Sequence, residues 1–326
     1  MFSAGKSASR RILVIRLGSM GDVIHALPAA ASLKHSHAGS QLTWVIEPRW
    51  APLLEGNPFV DRVVLLRRGS LAGLAESWRE LRAARYDFAV DFQGLIKSAL
   101  IASAARPDRI FGFHHTQVRE RAAALFYSNK TLSRSAHVVD RNFDLAAAAG
   151  AANPVRTFPL PPGCPEGDLP PGDFVLASPL AGWGSKQWPT EHYRALALRL
   201  RRELGVPLVL NAPPQASFPR VDEALVHWSG LPGLIHATRR ATAVVGVDSG
   251  PLHLAAALGK PGVAIFGPTD PARNGPYGDS LQVLRSPAAA TTYKRRASVD
   301  HSMEQVSPDA VFAALRAVLG ERRCVV

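Results

Sequence analysis

The chain of 326 residues is 47% hydrophobic and 20% charged, a composition that supplies two packed cores and excludes a disordered protein. Its formal net charge of +12 predicts an anionic partner, and leaves nucleic acid, an anionic membrane surface and a phosphorylated substrate open. The two cysteines, Cys164 and Cys324, exclude a disulfide scaffold and indicate a reducing compartment, and we find no apolar run as long as a signal-peptide core or a membrane span.

Predicted strands and helices alternate through the first half of the chain. Short runs rich in Val, Ile and Leu predict buried strands, and the longer stretches between them predict helices. The strands are predicted at residues 11–17, 42–46, 60–66 and 88–91, and the helices from about residue 23, at 70–85 and at 95–105. This alternation predicts an α/β fold with a doubly wound parallel sheet.

A second α/β series follows a proline-rich stretch between residues 153 and 172. Strands are predicted at 174–177 and 208–210 and a helix at 191–204, while Ser307 and Pro308 are typical of the start of a final helix. The predicted organisation is an N-terminal domain (1–155), a proline-rich linker (156–172) and a C-terminal domain (173–326), with a ligand cleft between the domains. The final helix is a candidate to pack back on the N-terminal domain.

Residues 243–271, AVVGVDSGPLHLAAALGKPGVAIFGPTDP, are the most informative stretch. A buried strand leads through Asp248-Ser249-Gly250 into a short apolar helix, where the amides of Ser249 and Gly250 suit an anion such as a pyrophosphate. Asp248 suits sugar or ribose hydroxyls. His253, one helical turn further on, has packing and ligand binding as equal alternatives. This stretch predicts a phosphorylated, hydroxyl-rich ligand.

Two further loops carry candidate site residues. Gly18-Ser19-Met20-Gly21-Asp22 joins the first strand to its helix and places the Asp22 carboxylate at the strand end, where interaction with the helix dipole is an equal alternative to function. Lys186, just before the helix at 191–204, would give a bound phosphate a point charge, with a merely solvated lysine as the alternative. Arg67, Arg68, Lys97, Arg119 and Arg121 are either a solvated face or a surface for an acidic acceptor.

Three motifs are absent from the sequence. The dinucleotide-binding spacing Gly-x-Gly-x-x-Gly is missing from the first strand–helix loop, and the P-loop that many ATPases and kinases use is also missing. The chain has no Asp-x-Asp, the device with which many sugar-nucleotide enzymes hold a metal at the diphosphate. We therefore predict neither a metal site nor a cofactor.

Six segments together resemble glycosyltransferase family 9, the bacterial lipopolysaccharide heptosyltransferases, and most closely heptosyltransferase I. They lie in the family's order along nearly the whole chain: LGSMGDVIHALPA (17–29), VDFQGLIKSAL (90–100), LFYSNK (125–130), SKQWP (185–189), VDSGPLHLAAAL (247–258) and FGPTDP (266–271). The resemblance implies a GT-B fold, with two Rossmann-like domains facing a central cleft, the acceptor on the N-terminal half and the sugar nucleotide on the C-terminal half. It implies inverting, metal-independent transfer of heptose from ADP-L-glycero-D-manno-heptose to the Kdo region of lipid A.

The resemblance also implies roles for individual residues. Asp22 is similar to the family's general base. The donor-binding positions are Lys186, Asp248, Ser249, Gly250, His253 and Gln215, and the acceptor-binding positions are Ser19, Gly21, Arg67, Arg68, Lys97 and Arg119. Arg67 and Arg68 are equal candidates for one arginine. The implied partners are the donor, an anionic Kdo-lipid A acceptor and the inner membrane surface, with no nucleic acid, at a cytoplasmic, membrane-peripheral location in a Gram-negative bacterium.

Two departures from the family leave the donor open. Residues 210–215 replace a stretch with glycine and glutamate that binds the donor ribose, and Gln215 is the candidate substitute. Residues 180–185 lack the paired threonines of heptosyltransferase I. One alternative is therefore a family 9 transferase for another core sugar or acceptor, and a second, which only the charge favours, is a non-enzymatic nucleotide- or nucleic-acid-binding protein.

Overall fold

The computed structural model describes residues 9–217 and 221–323, with side chains described through residue 320. The chain divides into two units, Met1–Pro161 and Pro162–Val326. Cys164 is an exposed free thiol, whereas Cys324 lies outside the described residues. No helix within the described residues has both the length and the apolarity of a bilayer-spanning segment.

The first unit alternates strands and helices. In chain order they are β1 (Arg11–Ile15), α1 (Met20–Ser36), β2 (Gln41–Ile46), a 3-10 helix (Pro48–Leu54), β3 (Arg62–Leu65), α2 (Leu71–Arg82), β4 (Phe88–Asp91), α3 (Ile96–Ala104), β5 (Arg109–Phe113), a 3-10 helix (Arg121–Phe126), β6 (Asn129–Thr131) and α4 (Val138–Ala148). The strands pair in the order β3-β2-β1-β4-β5-β6, and every neighbouring pair is parallel.

Helices cover both faces of this first sheet. α1 packs against α4 on one face. On the other face α2, α3 and the 3-10 helix Arg121–Phe126 share one apolar core with the strands. Burial on both sides explains why strands such as β1 read as continuous apolar runs in the sequence.

The second unit repeats the pattern. Its elements are β7 (Val175–Ser178), a 3-10 turn (Gly184–Lys186), α5 (Thr190–Arg199), a π-helical turn (Leu200–Leu204), β8 (Leu208–Ala212), β9 (Leu225–Trp228), α6 (Leu231–Arg240), β10 (Ala243–Val247), α7 (Gly250–Ala257), β11 (Gly262–Phe266), α8 (Pro271–Asn274), β12 (Leu281–Arg285), α9 (His301–Glu304) and α10 (Pro308–Arg323). The parallel strands pair as β12-β11-β10-β7-β8-β9. Numbered within each unit, both sheets have the order 3-2-1-4-5-6, which is the doubly wound Rossmann order.

The α/β class and the doubly wound sheets are confirmed. The final helix differs from expectation, because Val311, Phe312 and Leu315 of α10 are buried in the core of the second unit with α5 and the strands. Its predicted start is correct: Ser307 Oγ accepts from the amide of Ala310 at 3.2 Å.

The proline-rich segment after Pro162 lies against the second unit. The Glu166 carboxylate accepts from the amides of Gly230 at 2.6 Å and Gly233 at 3.2 Å, so it occupies the N-terminus of α6. Cys164 N donates to the carbonyl of Pro232 at 3.2 Å. These contacts tie irregular backbone to a helix end that would otherwise have unpaired amides.

Candidate active site

The strand order of the second sheet reverses between β7 and β10, and the loops after these two strands carry Lys186 and Asp248. Lys186 Nζ lies 2.5 Å from Asp248 Oδ2, and the two side chains are only 14% and 6% exposed. Ligands of open α/β sheets bind at this reversal point, beyond the carboxyl ends of the strands. The structure therefore brings two predicted donor-binding residues into direct contact at the expected edge of the sheet.

The ionisation of Asp248 is set by its neighbours. Burial by itself would raise the pKa of Asp248, but a hydrogen bond from His253 and the charge of Lys186 outweigh burial and hold the pKa below its ordinary value. His253 Nε2 lies 3.5 Å from Asp248 Oδ1 and the ring is buried. Asp248 is thus an acceptor-only carboxylate, a group suited to the hydroxyls of a sugar.

The loop that carries Lys186 is held against residues 295–297. Lys186 Nζ lies 4.3 Å from the centre of the Trp183 ring, and the Arg295 guanidinium lies 5.5 Å from the same ring. A side chain at Gly184 would place its Cβ 1.7 Å from the carbonyl oxygen of Ala297, so only glycine permits this approach. Arg295 was not among the predicted site residues, although the run Lys294-Arg295-Arg296 marks a local concentration of positive charge.

Buried hydroxyls lie at the ends of two neighbouring strands. Ser249, which follows β10, is the N-cap of α7, and its Oγ has no hydrogen-bond partner among the described residues. Thr269, which follows β11, is 1% exposed, and within the same residues its Oγ1 is also unpartnered. A buried hydroxyl without a hydrogen-bond partner is energetically unfavourable, and a polar ligand that supplies the missing bond removes that cost. Thr269 stands in the FGPTDP segment, but the sequence analysis gave it no role.

Gln215 follows β8, the strand that pairs with β7 in the second sheet. It is exposed in the turn after β8, three residues before 218–220, which lie outside the described residues. Across residues 9–217 and 221–323, no three or more His, Cys, Asp or Glu side chains form a group that could hold a metal.

Asp22 lies at the corresponding reversal point of the first sheet, in the first turn of α1 after β1. Its Oδ2 accepts from the amide of Ser19 at 3.2 Å and from Ser19 Oγ at 3.0 Å, and its Oδ1 lies 2.5 Å from Arg16 Nη2. The carboxylate nevertheless remains 40% exposed. Asp22 therefore caps the N-terminus of α1, in line with the helix-dipole alternative, and its carboxylate is also accessible to a ligand.

Buried residues hold the loop around Asp22 in place. Arg16, which the sequence analysis missed, is 8% exposed and donates through Nη1 to the carbonyl of Phe92, beyond the neighbouring strand β4. The feature of the sequence that could have indicated this role is a charged arginine directly after a buried strand. The backbone of Gly18 packs against Trp50, where a Cβ would lie 2.5 Å from the indole nitrogen. Gly21 is buried in the helix start and Ser19 is exposed.

Three cations converge on Glu47, a nearly buried carboxylate that follows β2. Glu47 Oε1 binds Arg68 Nη2 and lies 3.8 Å from Lys97 Nζ, and Oε2 lies 3.0 Å from Arg49 Nη2. Arg68 and Lys97, two of the residues expected at the acceptor site, thus share one carboxylate. Glu47 and Arg49 were not among the predicted site residues, because a carboxylate and cations from separate loops come together only in the folded chain.

Arg67 belongs to different surroundings from Arg68. Its Nη1 lies 3.2 Å from Glu80 and 3.6 Å from Glu76, both on α2. Of the two equal candidates, the structure places only Arg68 with Lys97.

Arg119 is exposed and lies beside the start of α3. Its neighbour Glu120 accepts through Oε2 from the amide of Ile96, at 2.7 Å. This contact places Arg119 in the loop next to the helix turn that carries Lys97.

A buried carboxylate, Asp91, gives parts of two of the six segments a structural role. Asp91 at the end of β4 accepts from Ser98 Oγ at 2.8 Å, from Tyr127 Oη at 2.7 Å and from the amide of Gln93 at 2.8 Å. Burial raises the pKa of Asp91 above its ordinary value in spite of these hydrogen bonds, and burial together with Asp91 raises the pKa of Tyr127. VDFQG and LFYSNK therefore hold the β4–α3 turn.

Comparison with known proteins gives a consistent result. The model of the family described as glycosyltransferase family 9 (heptosyltransferase) matches residues 74–303. The chain is 31% identical over 308 residues to lipopolysaccharide heptosyltransferase 1 of Escherichia coli strain K12, covering 85% of this chain and 94% of that protein. The structure of E. coli heptosyltransferase WaaC with ADP matches at a TM-score of 0.76, with 26% identity over 94% of this chain and 99% of that one. WaaC with ADP-2-deoxy-2-fluoro heptose matches at 0.72, with 26% identity over 96% and 99% of the two chains.

Proposed function

Because the chain belongs to glycosyltransferase family 9, we propose that it transfers heptose from ADP-L-glycero-D-manno-heptose to the Kdo region of lipid A, in the assembly of the lipopolysaccharide inner core. The chain is a glycosyltransferase with the GT-B fold, as the sequence predicted. The observation that carries the proposal is the Lys186–Asp248 pair at the reversal point of the second sheet. The matching WaaC structures, with ADP and with a fluorinated ADP-heptose, support the choice of donor.

The second unit would bind the donor. Lys186 and the amides of Ser249 and Gly250 would hold the diphosphate, since an ammonium and the N-terminus of a helix both stabilise an anion. Asp248, kept ionised by Lys186 and His253, would accept hydrogen bonds from hydroxyls of the sugar. The diphosphate would have to draw Lys186 partly away from Asp248, so binding would rearrange the pair that the structure shows.

The first unit would bind the acceptor. Kdo is a sugar acid, and its carboxylates match the excess positive charge that Arg68 and Lys97 leave around Glu47, with Arg119 in the adjoining loop. Ser19 and Gly21 would line the acceptor near Asp22. Arg67 is committed to Glu76 and Glu80, so we assign the acceptor contact to Arg68.

The proposed reaction is an inverting in-line displacement. Asp22 would take the proton of the attacking acceptor hydroxyl, and the oxygen would form a bond to the anomeric carbon as the bond from that carbon to the diphosphate oxygen breaks. The electron pair would leave with ADP, whose added charge Lys186 and the α7 amides would stabilise. These charges would do the work that a metal does in other sugar-nucleotide enzymes, so we propose that transfer requires no metal.

A second candidate is a family 9 transferase that acts on another core sugar or acceptor. One observation favours it: residues 210–215 lack the glycine and glutamate of the family's ribose-binding stretch, and Gln215 is exposed in the turn after β8. Membership of an enzyme family leaves the non-enzymatic, charge-based alternative without support. We further propose a cytoplasmic location with peripheral contact to the inner membrane of a Gram-negative bacterium, where the lipid acceptor would be met.

The donor assignment is tested by acceptor-dependent release of the nucleoside diphosphate. The protein and Kdo-lipid A are incubated with one sugar nucleotide at a time: ADP-heptose, ADP-glucose, UDP-glucose or GDP-mannose. Each incubation is run with and without a chelator. We expect release from ADP-heptose in both conditions. Faster release from another sugar nucleotide would favour the second candidate, and release abolished by the chelator would contradict the metal-independent mechanism.

A further inference from the structure

The helices on one face of the first sheet expose several large apolar side chains to solvent instead of burying them against the sheet. α2 buries Gly73, Ser77 and Leu81, and it exposes Leu71, Leu74 and Trp78, which are 86%, 42% and 50% exposed. These three exposed residues have the spacing i, i+3, i+7 and so share one face of the helix. The outward face of α2 is therefore its apolar face.

α3 and the 3-10 helix Arg121–Phe126 likewise bury small residues and expose large apolar ones. α3 buries Ser98, Ala99 and Ala102 and exposes Ile96 and Leu100. The 3-10 helix Arg121–Phe126, which packs on α3, buries two alanines and leaves Leu125 81% exposed. We call the six exposed residues the α2–α3 surface: Leu71, Leu74, Trp78, Ile96, Leu100 and Leu125. They are six of the eleven large apolar side chains that are exposed within the described residues.

This concentration lies on one layer of the molecule. All three elements pack through the same apolar core onto the same face of the first sheet, so their outward faces belong to one side of the first unit. α2 and α3 begin at the carboxyl ends of β3 and β4, the same edge of the parallel sheet at which Asp22 and Lys97 are found. The α2–α3 surface therefore starts at the edge that carries the proposed acceptor site.

Exposed cations surround the apolar side chains. Arg79 and Arg82 are exposed on α2, with the Arg82 guanidinium 5.7 Å from the Trp78 ring. Lys97 is exposed on α3, and Arg119 and Arg121 are exposed before and at the start of the 3-10 helix that packs on α3. The acidic side chains of this layer are already engaged, since Glu76 and Glu80 pair with Arg67 and Glu120 binds the start of α3. Leu and Trp flanked by unneutralised arginines are typical of segments that lie in the interface of an anionic bilayer.

We infer that the α2–α3 surface docks on an anionic phospholipid bilayer, with Leu71, Leu74 and Trp78 inserted at headgroup depth and the flanking arginines on the lipid phosphates. The inference deepens the proposed function, because it assigns the peripheral membrane contact to particular residues and brings the acceptor site to the lipid. Binding itself needs no donor, acceptor or turnover, so it can be tested even if the proposed reaction is wrong.

The test is co-sedimentation of the full chain with vesicles of phosphatidylcholine alone or of phosphatidylcholine with phosphatidylglycerol. We expect binding to the anionic vesicles, weakening with added salt, and at least about a tenfold loss of partitioning in the triple variant Leu71→Gln, Leu74→Gln, Trp78→Gln. The matched control is Leu132→Gln with Leu225→Gln, two residues that are 62% and 52% exposed and belong to none of the three elements of this surface. Far-UV circular dichroism checks that both variants keep the fold.

A second measurement does not depend on multiple substitutions. Brominated phosphatidylglycerol in the vesicles should quench part of the tryptophan fluorescence, and Trp78→Phe should remove most of the quenched component while binding persists. Equal partitioning of the triple variant and the wild type would overturn the inference. The inference would also be overturned if the wild type did not bind vesicles and its sedimentation velocity differed from that of the triple variant. Such a difference would identify the surface as a protein contact. Both proteins are also assayed for transfer to a detergent-dispersed acceptor. If wild type and triple variant transfer heptose alike, the proposed function stands, and a failure of membrane binding is distinguished from a failure of that function.

Discussion

Asp22 has two tasks in this structure, and they can be separated by substitution. Its carboxylate caps α1 through Ser19 and pairs with Arg16, while remaining partly exposed. Asn at this position keeps an oxygen that can accept the capping bonds but cannot take a proton from an acceptor hydroxyl. The two tasks therefore predict different losses.

We expect Asp22→Asn to slow heptose transfer by about 10²–10⁴-fold, the usual contribution of a positioned base, with ADP-heptose affinity unchanged in calorimetric titration. Asp309→Asn is the matched control, because Asp309 is also a first-turn aspartate paired with an arginine, Arg199 at 2.6 Å, but lies in α10. The control should turn over like the wild type. Wild-type turnover by Asp22→Asn would show that Asp22 is only a helix cap.

Arg67 and Arg68 form a matched pair of neighbours with different partners. We expect Arg68→Ala to raise KM for the acceptor by about tenfold, the loss of one charge-assisted hydrogen bond, with no change in KM for ADP-heptose. Arg67→Ala, which removes only contacts to Glu76 and Glu80, should leave both KM values near wild type. Steady-state kinetics distinguish the two, and a larger effect of Arg67→Ala would reverse the assignment.

The Lys186–Asp248 pair predicts a pH dependence of stability. The pKa of Asp248 is lower in the folded protein than its unfolded value of about 3.9, so the pair contributes fully above that value and its contribution is lost as the pH falls towards the folded pKa. Between about pH 4 and pH 2, the free energy of unfolding of the wild type should fall by about 1–3 kcal/mol more than that of Lys186→Met with Asp248→Asn. Urea titrations across this range measure the difference, and parallel pH profiles would contradict it.

The resemblance to glycosyltransferase family 9 implied that Lys186 and Asp248 serve one sugar-nucleotide donor. It did not predict that the two form an ion pair, nor that Glu47 gathers Arg68, Arg49 and Lys97. Ion pairs of this kind join loops that are far apart in the chain, and side-chain direction is not encoded by spacing alone.

At the scale of elements, buried strands were the most predictable feature. β4 matches its predicted bounds, and β1, β2 and β7 differ only at their ends, because continuous apolar runs are distinctive. The sequence analysis did not identify β5, β6, β9 or β12. β6 has only three residues, and β9 and β12 are half-exposed sheet edges, so none of these three has the apolar run of a central strand. α2 was predicted as a helix, but its outward apolar face was not, since the pattern does not say which face meets the sheet.

The β4–α3 turn provides a test at this scale. Tyr127→Phe keeps the ring that packs on Gly112 but removes a hydroxyl that donates to the fully buried Asp91. We expect the free energy of unfolding to fall by about 1–3 kcal/mol, the cost of leaving a buried acceptor short of a donor. Tyr293→Phe, at an exposed tyrosine, is the control and should change little. Equal stabilities of the two variants would mean that the Asp91 network does not hold the turn.

At the scale of the molecule, the two units share one design. Both sheets have the Rossmann strand order, and in each the candidate chemistry follows the strands where that order reverses: Asp22 after β1 in the first, and Lys186 and Asp248 after β7 and β10 in the second. The alternation of strands and helices made this architecture predictable from the sequence. The donor was less predictable, because residues 210–215 and 180–185 depart from the family resemblance.

The mass of the acceptor after incubation with ADP-heptose tests the central claim most directly. We expect wild-type protein to add one heptosyl residue to Kdo-lipid A, and fragmentation to place the heptose on Kdo. Unchanged acceptor mass with ADP-heptose, alongside extension by a different sugar nucleotide in the same preparation, would contradict it.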